Sequence, residues 1–301
     1  MFVWLCVIIR IVANPLSNVF QKTLTQRAAD PLFIICATHG LLSLACAVAW
    51  PCLPASLPTA DRYHEFWTNL SISAVLAVAG NTLLVQALKR ADLSVLGPLN
   101  AYKPVVSLVP GLILLGELPG HLALGGIALI VAASVCLTEP RIHGSRIAPI
   151  ARLVKDHGVQ YRLAALILAA AEAVFLKAAN RAATPLVTFM AWSMMGFATS
   201  LVAGGVLMGG QWLRSGVAGL FGFGRTQYPL LALSTGLMQS CTIVALGAMH
   251  VGSALALFQI STVISVFLGH RFFNEGQLYR RLIGGIVMTF GAILIILNEA
   301  H

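Results

Sequence analysis

The chain has 301 residues, of which 58% are hydrophobic and 10% are charged, and its mean hydropathy is +0.87. A soluble domain carries roughly 25% charged residues, so this composition excludes a water-soluble globular protein. The formal net charge is +9, but the basic residues are spread over the flanks of apolar runs and are not gathered on one face, which excludes a nucleic-acid-binding surface.

Ten apolar runs follow one another along the chain. Most are close to the roughly 20 residues that a membrane-spanning helix needs, and they do not alternate in polarity as the strands of a membrane barrel do. The sequence therefore predicts an all-α polytopic membrane protein with ten transmembrane helices. The predicted spans are residues 2–24, 31–53, 66–88, 93–115, 121–138, 160–179, 185–209, 228–248, 251–270 and 280–298.

Most connections between the predicted spans are short. The one sizeable polar connection is a basic linker at residues 141–159, which separates a first half (1–140) from a second half (160–301). A proline-rich stretch at 51–58 and a glycine-rich stretch at 204–224 are the other notable connections. We expect no soluble domain between the spans.

The two halves repeat the same landmarks in the same order. Because each half has an odd number of spans, the second half must be inverted relative to the first. Internal repeats of this kind are how secondary transporters build a central site with alternating access. The paired landmarks are Val-Phe-x-Lys at 19–22 and 174–177, Pro-Leu at 31–32 and 185–186, Ala-Leu at 87–88 and 245–246, Glu117 and Glu275, and Gly-Gly at 125–126 and 284–285.

These landmarks, in this order twice, resemble the EamA-type ten-span family of the drug/metabolite transporter superfamily over nearly the whole chain. The resemblance implies a 5+5 inverted-repeat fold, a central cavity between the halves, and export or exchange of small metabolites or drugs. It also implies that both termini face the cytoplasm.

The distribution of basic residues leads to the opposite orientation. Junctions after odd-numbered spans hold fourteen Lys and Arg residues, with Arg162 counted among them, whereas junctions after even-numbered spans hold only Arg62, Lys177 and Arg181. The positive-inside rule then places the odd junctions in the cytoplasm and both termini outside. The two expectations about orientation conflict, and both stay open at this point.

Four ionisable residues lie inside predicted spans. Arg10, Lys103 and Glu172 lie deepest, and Lys177 lies one further turn along the span of Glu172. A charge at the bilayer centre costs at least about 2.5–3.5 kcal/mol, so each needs a partner or a function. Ten residues into its span, Lys103 would lie about 15 Å deep, and Pro104 beside it favours a kink that lines a cavity. We expect Arg10 and Lys103 to bind substrate. The alternative for Lys103 is a structural ion pair with Glu172.

Glu172 is the one acidic residue deep in a predicted span. We consider it a candidate for coupling transport to protons, because a buried carboxyl group can exchange protons near neutral pH; static pairing is again the alternative. The repeat equivalents of Lys103 and Glu172 are Ser261 and Ser17, so the fold itself requires neither charge.

Lys22 and Lys177 occur at equivalent places in both halves, which favours a role in the fold as anchors at span ends; we keep them as secondary site candidates. Glu117 and Glu275 stand just ahead of spans five and ten, where they suit the dipole of a helix N-terminus. We interpret His39 and His250 as structural histidines.

A set of polar residues on five spans completes the candidate site. Some will line a cavity, and others will only form hydrogen bonds between helices. From Asn14, Asn18, Asn81, Gln86, Asn100, Tyr102, Gln239 and Gln259, we expect Asn14, Asn100, Tyr102 and Gln259 to bind substrate, because they share spans with the charges or occupy repeat-equivalent positions.

If Arg10, Lys103 and Glu172 share one cavity, its formal charge is +1, which favours an anionic or zwitterionic metabolite over a cationic drug. The predicted function is a secondary transporter in a bacterial inner membrane, working as a monomer with a small-molecule substrate, lipid around it and protons as a candidate coupling ion. A lipid-carrier flippase, or a subunit of one, is the alternative.

Other function classes find little support in the sequence. It has no HExxH, no GxSxG and no paired aspartates within spans, so we expect no enzyme activity. The six cysteines lack CxxC spacing, and we expect no metal or cofactor. No ATP-binding GxxxxGK[ST] run occurs, which leaves an ion gradient or substrate exchange as the driving force.

Overall fold

The structure is a computed structural model of the chain. It describes residues 1–27, 29–52, 57–90, 102–117, 119–137 and 157–273, together with single positions between 287 and 298. Within these residues every regular element is helical, which confirms the all-α class. The helices are α1 (Phe2–Gln26), α2 (Pro31–Ala49), α3 (Tyr63–Arg90), α4 (Lys103–Leu115), α5 (His121–Leu137), α6 (His157–Ala182), α7 (Pro185–Met208), α8 (Gly210–Phe221), α9 (Gln227–Ala248), α10 (Val251–Leu257) and α11 (Ser261–Phe273), with 3₁₀ turns at Trp50–Cys52 and Phe258–Ile260.

Six helices are long and apolar enough to cross a bilayer: α1, α2, α3, α6, α7 and α9, with 19 to 28 residues each. A helix rises 1.5 Å per residue, so even the shortest extends about 28 Å, close to the thickness of the hydrocarbon core. The chain is therefore an integral membrane protein. Three further stretches, in α4, α5 and α10–α11, are apolar but shorter. Parts of the predicted spans four and ten lie outside the described residues, so the ten-span count stays a prediction.

Both Pro-Leu landmarks begin a helix. The Asp30 side chain accepts a hydrogen bond from the Phe33 backbone N–H at 3.0 Å and caps α2, which starts at Pro31. In the same way Thr184 accepts from Val187 at 3.4 Å ahead of Pro185 and caps α7. Proline suits the first helical position because its missing N–H would have no helical partner there. The repeated motif is thus a repeated helix start.

Helices of the first half pack mainly against helices of the second. The pairs in contact include α3 with α6, α1 with α9, α2 with α7, α4 with α6, α1 with α11, α3 with α7, α2 with α9 and α4 with α10. These pairs follow a rule. If α1, α2, α3 and α4 change places with α6, α7, α9 and α10–α11, respectively, each pair becomes another pair of the set or stays the same pair. The main hydrophobic core lies along this contact between the halves.

One described helix was not expected from the sequence. Residues 210–221 were interpreted as part of a glycine-rich connection, but they form α8. Its Trp212 is buried and donates its indole N–H to the Asp30 carboxylate at 2.9 Å. Gly216 approaches Phe33 so closely that a Cβ atom there would lie 2.1 Å from the ring. In α8 the glycine allows close packing and does not end the helix.

Asp30 therefore serves both α2 and α8, whereas Thr184 serves only α7. Replacing an N-cap residue by alanine costs about 0.5–2 kcal/mol, and a lost hydrogen bond adds about 1 kcal/mol. We predict that Asp30→Ala lowers the unfolding free energy in detergent by more than Thr184→Ala does. Equal losses, or a larger loss for Thr184→Ala, would show that the Trp212 bond contributes nothing.

Candidate functional site

A polar cavity lies between the two halves. Its walls come from α1, α2, α3, α6 and α9, with single residues from α4, α7 and α10, and its volume is about 110 Å³. A single water molecule needs on the order of 10–15 Å³ of such space, so several molecules or one small metabolite can enter. In this cavity charged side chains of both halves surround an open space.

The three deep ionisable residues of the sequence all line this cavity. Arg10 comes from α1, Lys103 from the start of α4 and Glu172 from the middle of α6, and Asn14 lines the cavity one turn from Arg10. Lys103 is attracted electrostatically by Glu172 and repelled by Arg10. Pro104 lies in the first turn of α4, where it fits without distortion, so the expected kink within a helix is not seen in the described residues.

A fourth charged residue was missed. Arg162 was counted with the basic residues of a cytoplasmic junction, but it lies in the second turn of α6, is 8% exposed and lines the cavity. The apolar run that follows it, from Leu163 to Ala171, was the available signal. Among the described lining residues, three side chains are thus cationic and one is acidic, which gives a formal charge of +2.

Arg10 is held by an aromatic ring. Its guanidinium carbon lies 4.1 Å from the centroid of the Phe258 ring, a cation–π contact that compensates part of the cost of burying the charge. Its Nε and Nη1 atoms are buried and have no hydrogen-bond partner within the described part of the chain. The side chain is therefore fixed in place while two of its donor atoms are available for a ligand.

Glu172 lies among neutral polar groups. Ser73, Trp192 and Gln239 surround its carboxylate, yet the Glu172 Oε1 atom is buried without a hydrogen bond to any residue that the structure describes. The same holds for Ser73 Oγ, Trp192 Nε1 and Gln239 Nε2. Ser73, Trp192 and Gln239 therefore give the Glu172 carboxylate a polar environment at the wall of the cavity.

The structure sorts the predicted polar residues into two groups. Asn14, Asn18, Asn81 and Gln239 line the cavity, and Asn14 also donates to Ser261 at 3.2 Å, which links α1 to α11. Gln259 does not line it: its amide donates to the Leu255 carbonyl at 2.9 Å and its side chain is fully buried. Tyr102 is 38% exposed and lies outside the lining. Asn100 lies outside the described residues.

His39 also lines the cavity, against the Trp192 ring at 4.4 Å between centroids. Gly196 makes this position possible, because a Cβ atom there would lie 2.2 Å from His39 Nδ1. Nδ1 has no hydrogen-bond partner among the described residues. The sequence interpretation of His39 as structural is compatible with this packing, and its place in the lining adds a polar group to the cavity.

The secondary candidates lie away from the cavity lining. Lys177 is buried one turn beyond the cavity on α6, where its Nζ contacts the Glu117 carboxylate at 2.8 Å. Lys22 is buried near the C-terminal end of α1, next to Gln21, which does line the cavity. Among the residues described, no cluster of three His, Cys, Asp or Glu side chains could hold a metal ion.

Comparisons with known proteins agree with this architecture. Residues 3–138 match the model of the EamA-like transporter family, which confirms the resemblance for the first half. No curated protein matches the chain. A solved structure, whose description names no activity, matches with a TM-score of 0.63 and 15% sequence identity, over 97% of this chain and 98% of the other. At that identity the likeness concerns the fold alone.

The contact of Arg10 with Phe258 leads to a testable energy. In a double-mutant cycle of Arg10→Met and Phe258→Leu we expect a coupling of about 0.5–2 kcal/mol in the unfolding free energy, the range of a cation–π contact. The matched cycle with Phe33→Leu, a buried phenylalanine that packs against Trp212 and Tyr228, should be additive. Equal couplings in both cycles would contradict the contact.

Proposed function

We propose, from the match of residues 3–138 to the EamA-like transporter family, that the whole chain is a secondary transporter for small anionic or zwitterionic metabolites. In this proposal residues 1–140 and 160–301 are two five-helix halves of inverted orientation, joined by the basic linker 141–159. The cavity between them is the substrate site, and it opens alternately to the two faces of the membrane. The membrane is the inner membrane of a bacterium, and the carrier works as a monomer.

The packing of the helices supports the two-half architecture. Two halves related by a twofold axis would exchange equivalent helices and leave the set of contacts unchanged, and the described contacts follow that rule for α1, α2, α3, α4 and their counterparts. The N-capped Pro-Leu starts of α2 and α7 add an equivalence at the level of single residues. Inverted repeats with a site at their interface are typical of alternating-access carriers.

The single observation that carries the substrate class is the charge of the cavity lining. Arg10, Lys103 and Arg162 outnumber Glu172 by three to one, and Arg10 keeps buried donor atoms without partners among the residues described. Because buried donor atoms are costly to leave without an acceptor, an anion that accepts from Arg10 Nε and Nη1 would be favoured there. A zwitterion would place its anionic group near the cations and its ammonium group near Glu172.

Glu172 is the proposed coupling residue. Its carboxylate reaches the same cavity as the cations that would hold the substrate. Protonation of Glu172 and binding of an anionic substrate would therefore affect each other electrostatically. Repulsion from a bound anion would favour the protonated carboxyl group, and release of the anion would favour the ionised one. This is the physical basis on which a proton could move with, or in exchange for, an anionic substrate.

A ligand screen tests the proposed site. Purified wild-type protein in detergent is heated with succinate, glutamine, putrescine or a short-chain lipid phosphate, which cover an anion, a zwitterion, a cation and the flippase alternative. A ligand at 100 times its Kd stabilises the folded protein by about 2.7 kcal/mol. We expect the anion or the zwitterion to raise the unfolding temperature of the wild type and to lose this effect in Lys103→Ala.

Lys89→Ala is the matched control, because Lys89 is an exposed lysine at the end of α3 and does not line the cavity. It should keep the wild-type response. Stabilisation by putrescine alone would overturn the substrate class, and equal stabilisation of the wild type and Lys103→Ala would remove Lys103 from the site. Stabilisation by the lipid phosphate alone would favour a flippase.

A further inference from the structure

A second group of buried charges lies one turn beyond the cavity, and the proposed substrate site does not include it. Glu117 and Lys177 form an ion pair at 2.8 Å, with side chains only 9% and 6% exposed. The half-exposed Arg181 also contacts the Glu117 carboxylate. We call Glu117, Lys177 and Arg181 the clamp.

The turn that ends α4 places Glu117 in the clamp. Gly116 has φ +65, the left-handed conformation that glycine adopts without strain. The N–H groups of Gly116 and Glu117 donate to the carbonyls of Leu112 and Gly111, the pattern that commonly ends a helix and reverses the chain direction. The landmark Glu117 is thereby turned back toward the second half.

The clamp forms contacts between the two halves of the chain and also contacts within the second half. Glu117 belongs to the first half, whereas Lys177 and Arg181 belong to α6 in the second. The Glu117 carboxylate also accepts a hydrogen bond from the Val251 backbone N–H at 3.2 Å. Lys177 donates to the Met249 carbonyl at 2.6 Å, and Arg62 of the first half donates to the Arg181 carbonyl at 3.0 Å. If the halves moved apart here, these contacts between them would break together.

Two separate helices, α6 and α10, show that the clamp lies at one end of the cavity. On α6 the lining runs from Arg162 to Ala173 and stops one turn before Lys177. On α10 the lining residue Leu255 is one turn from Val251, which Glu117 contacts. The opposite end of the cavity is lined by Gln21, Leu84 and Arg162. Among the described residues, the Glu117–Lys177 pair therefore lies between the cavity and this face of the protein.

We infer that the clamp is the gate that closes one face of the transporter, and that the opposite end of the cavity is the open one in this structure. The inference rests on the proposed function. Separating a buried ion pair leaves each charge without compensation, which is costly, so the pair resists partial opening of this face. In this role Lys177 controls access and does not bind substrate.

Accessibility of a cysteine placed beside the clamp tests the gate without any transport. Ala173 lines the cavity one turn from Lys177, so Ala173→Cys reports on whether reagent reaches this point. Right-side-out and inside-out membrane vesicles are treated with methanethiosulfonate-ethylsulfonate, a small anionic thiol reagent that does not cross bilayers. Protein without the added cysteine gives the background from the native thiols.

The expected result is labelling of Ala173→Cys from one face only. Adding Glu117→Gln should raise labelling from the other face by about tenfold or more, because glutamine keeps the volume and a carbonyl acceptor for Val251 but removes the charge. Arg181→Gln, at a half-exposed position, gives a milder version of the same change if Glu117→Gln folds poorly.

Glu65→Gln is the matched control. Glu65 is an exposed glutamate in the first turn of α3, three residues from Arg62, which contacts Arg181. Removing the charge of Glu65 should leave the labelling of Ala173→Cys from both faces unchanged. A response to Glu65→Gln as large as that to Glu117→Gln would reduce the effect to surface charge and overturn the gate.

Two other outcomes contradict the gate: equal labelling from both faces in the protein with an intact clamp, and unchanged one-sided labelling in both clamp variants. Exchange of an anion across liposomes by the wild type separates this inference from the proposed function. If exchange occurs but the clamp variants leave the labelling unchanged, the gate is wrong and the transporter stands. If the clamp variants open the second face but no anion is exchanged, the gate stands and the substrate class is wrong.

Discussion

The structure depends on how a chain that lies in a bilayer compensates its buried charges. A charge at the bilayer centre costs at least about 2.5–3.5 kcal/mol, so each buried charge needs either a partner or a function. The chain has both cases, one helical turn apart on α6. Lys177 is fully engaged by Glu117 and the Met249 carbonyl, whereas Glu172 keeps an oxygen without a partner among the described residues. The first arrangement joins the two halves, and the second lies in the cavity that we propose as the substrate site.

The fold and its chemistry differ in symmetry. The helix contacts keep the same pattern when the halves are exchanged, but the charges of the cavity do not: Lys103 and Glu172 correspond to Ser261 and Ser17, both buried and hydrogen-bonded. Ser17 bonds to Thr235 of the other half. The symmetric contacts thus come with an asymmetric charge pair, to which the first half contributes Lys103 and the second half contributes Glu172.

The sequence predicted the features that follow from composition and from the repeat. One cavity contains Arg10, Asn14, Lys103 and Glu172. A charged side chain far from a span end is expected in a shared polar interior, because exposing it to lipid is costly. Arg162 was missed because counting by distance from a span end assigns such a residue to a loop.

Whether Gln259 and Tyr102 face the cavity depends on how their helices are rotated about their axes. These helices are apolar on all sides, so the sequence has no amphipathic pattern that would predict this rotation. The helix α8 depends on tertiary contacts of Trp212 and Gly216, which override the local preference of glycine.

The most direct test of the central claim, that an anion crosses through the cation-lined cavity, is counterflow exchange in proteoliposomes. The labelled probe is whichever of succinate and glutamine stabilises the purified protein more. We expect exchange by the wild type and by Lys89→Ala, and a loss of about tenfold or more in Lys103→Ala, equivalent to at least about 1.4 kcal/mol of binding or barrier energy. Equal exchange by Lys103→Ala, or exchange of putrescine in place of either probe, would contradict it.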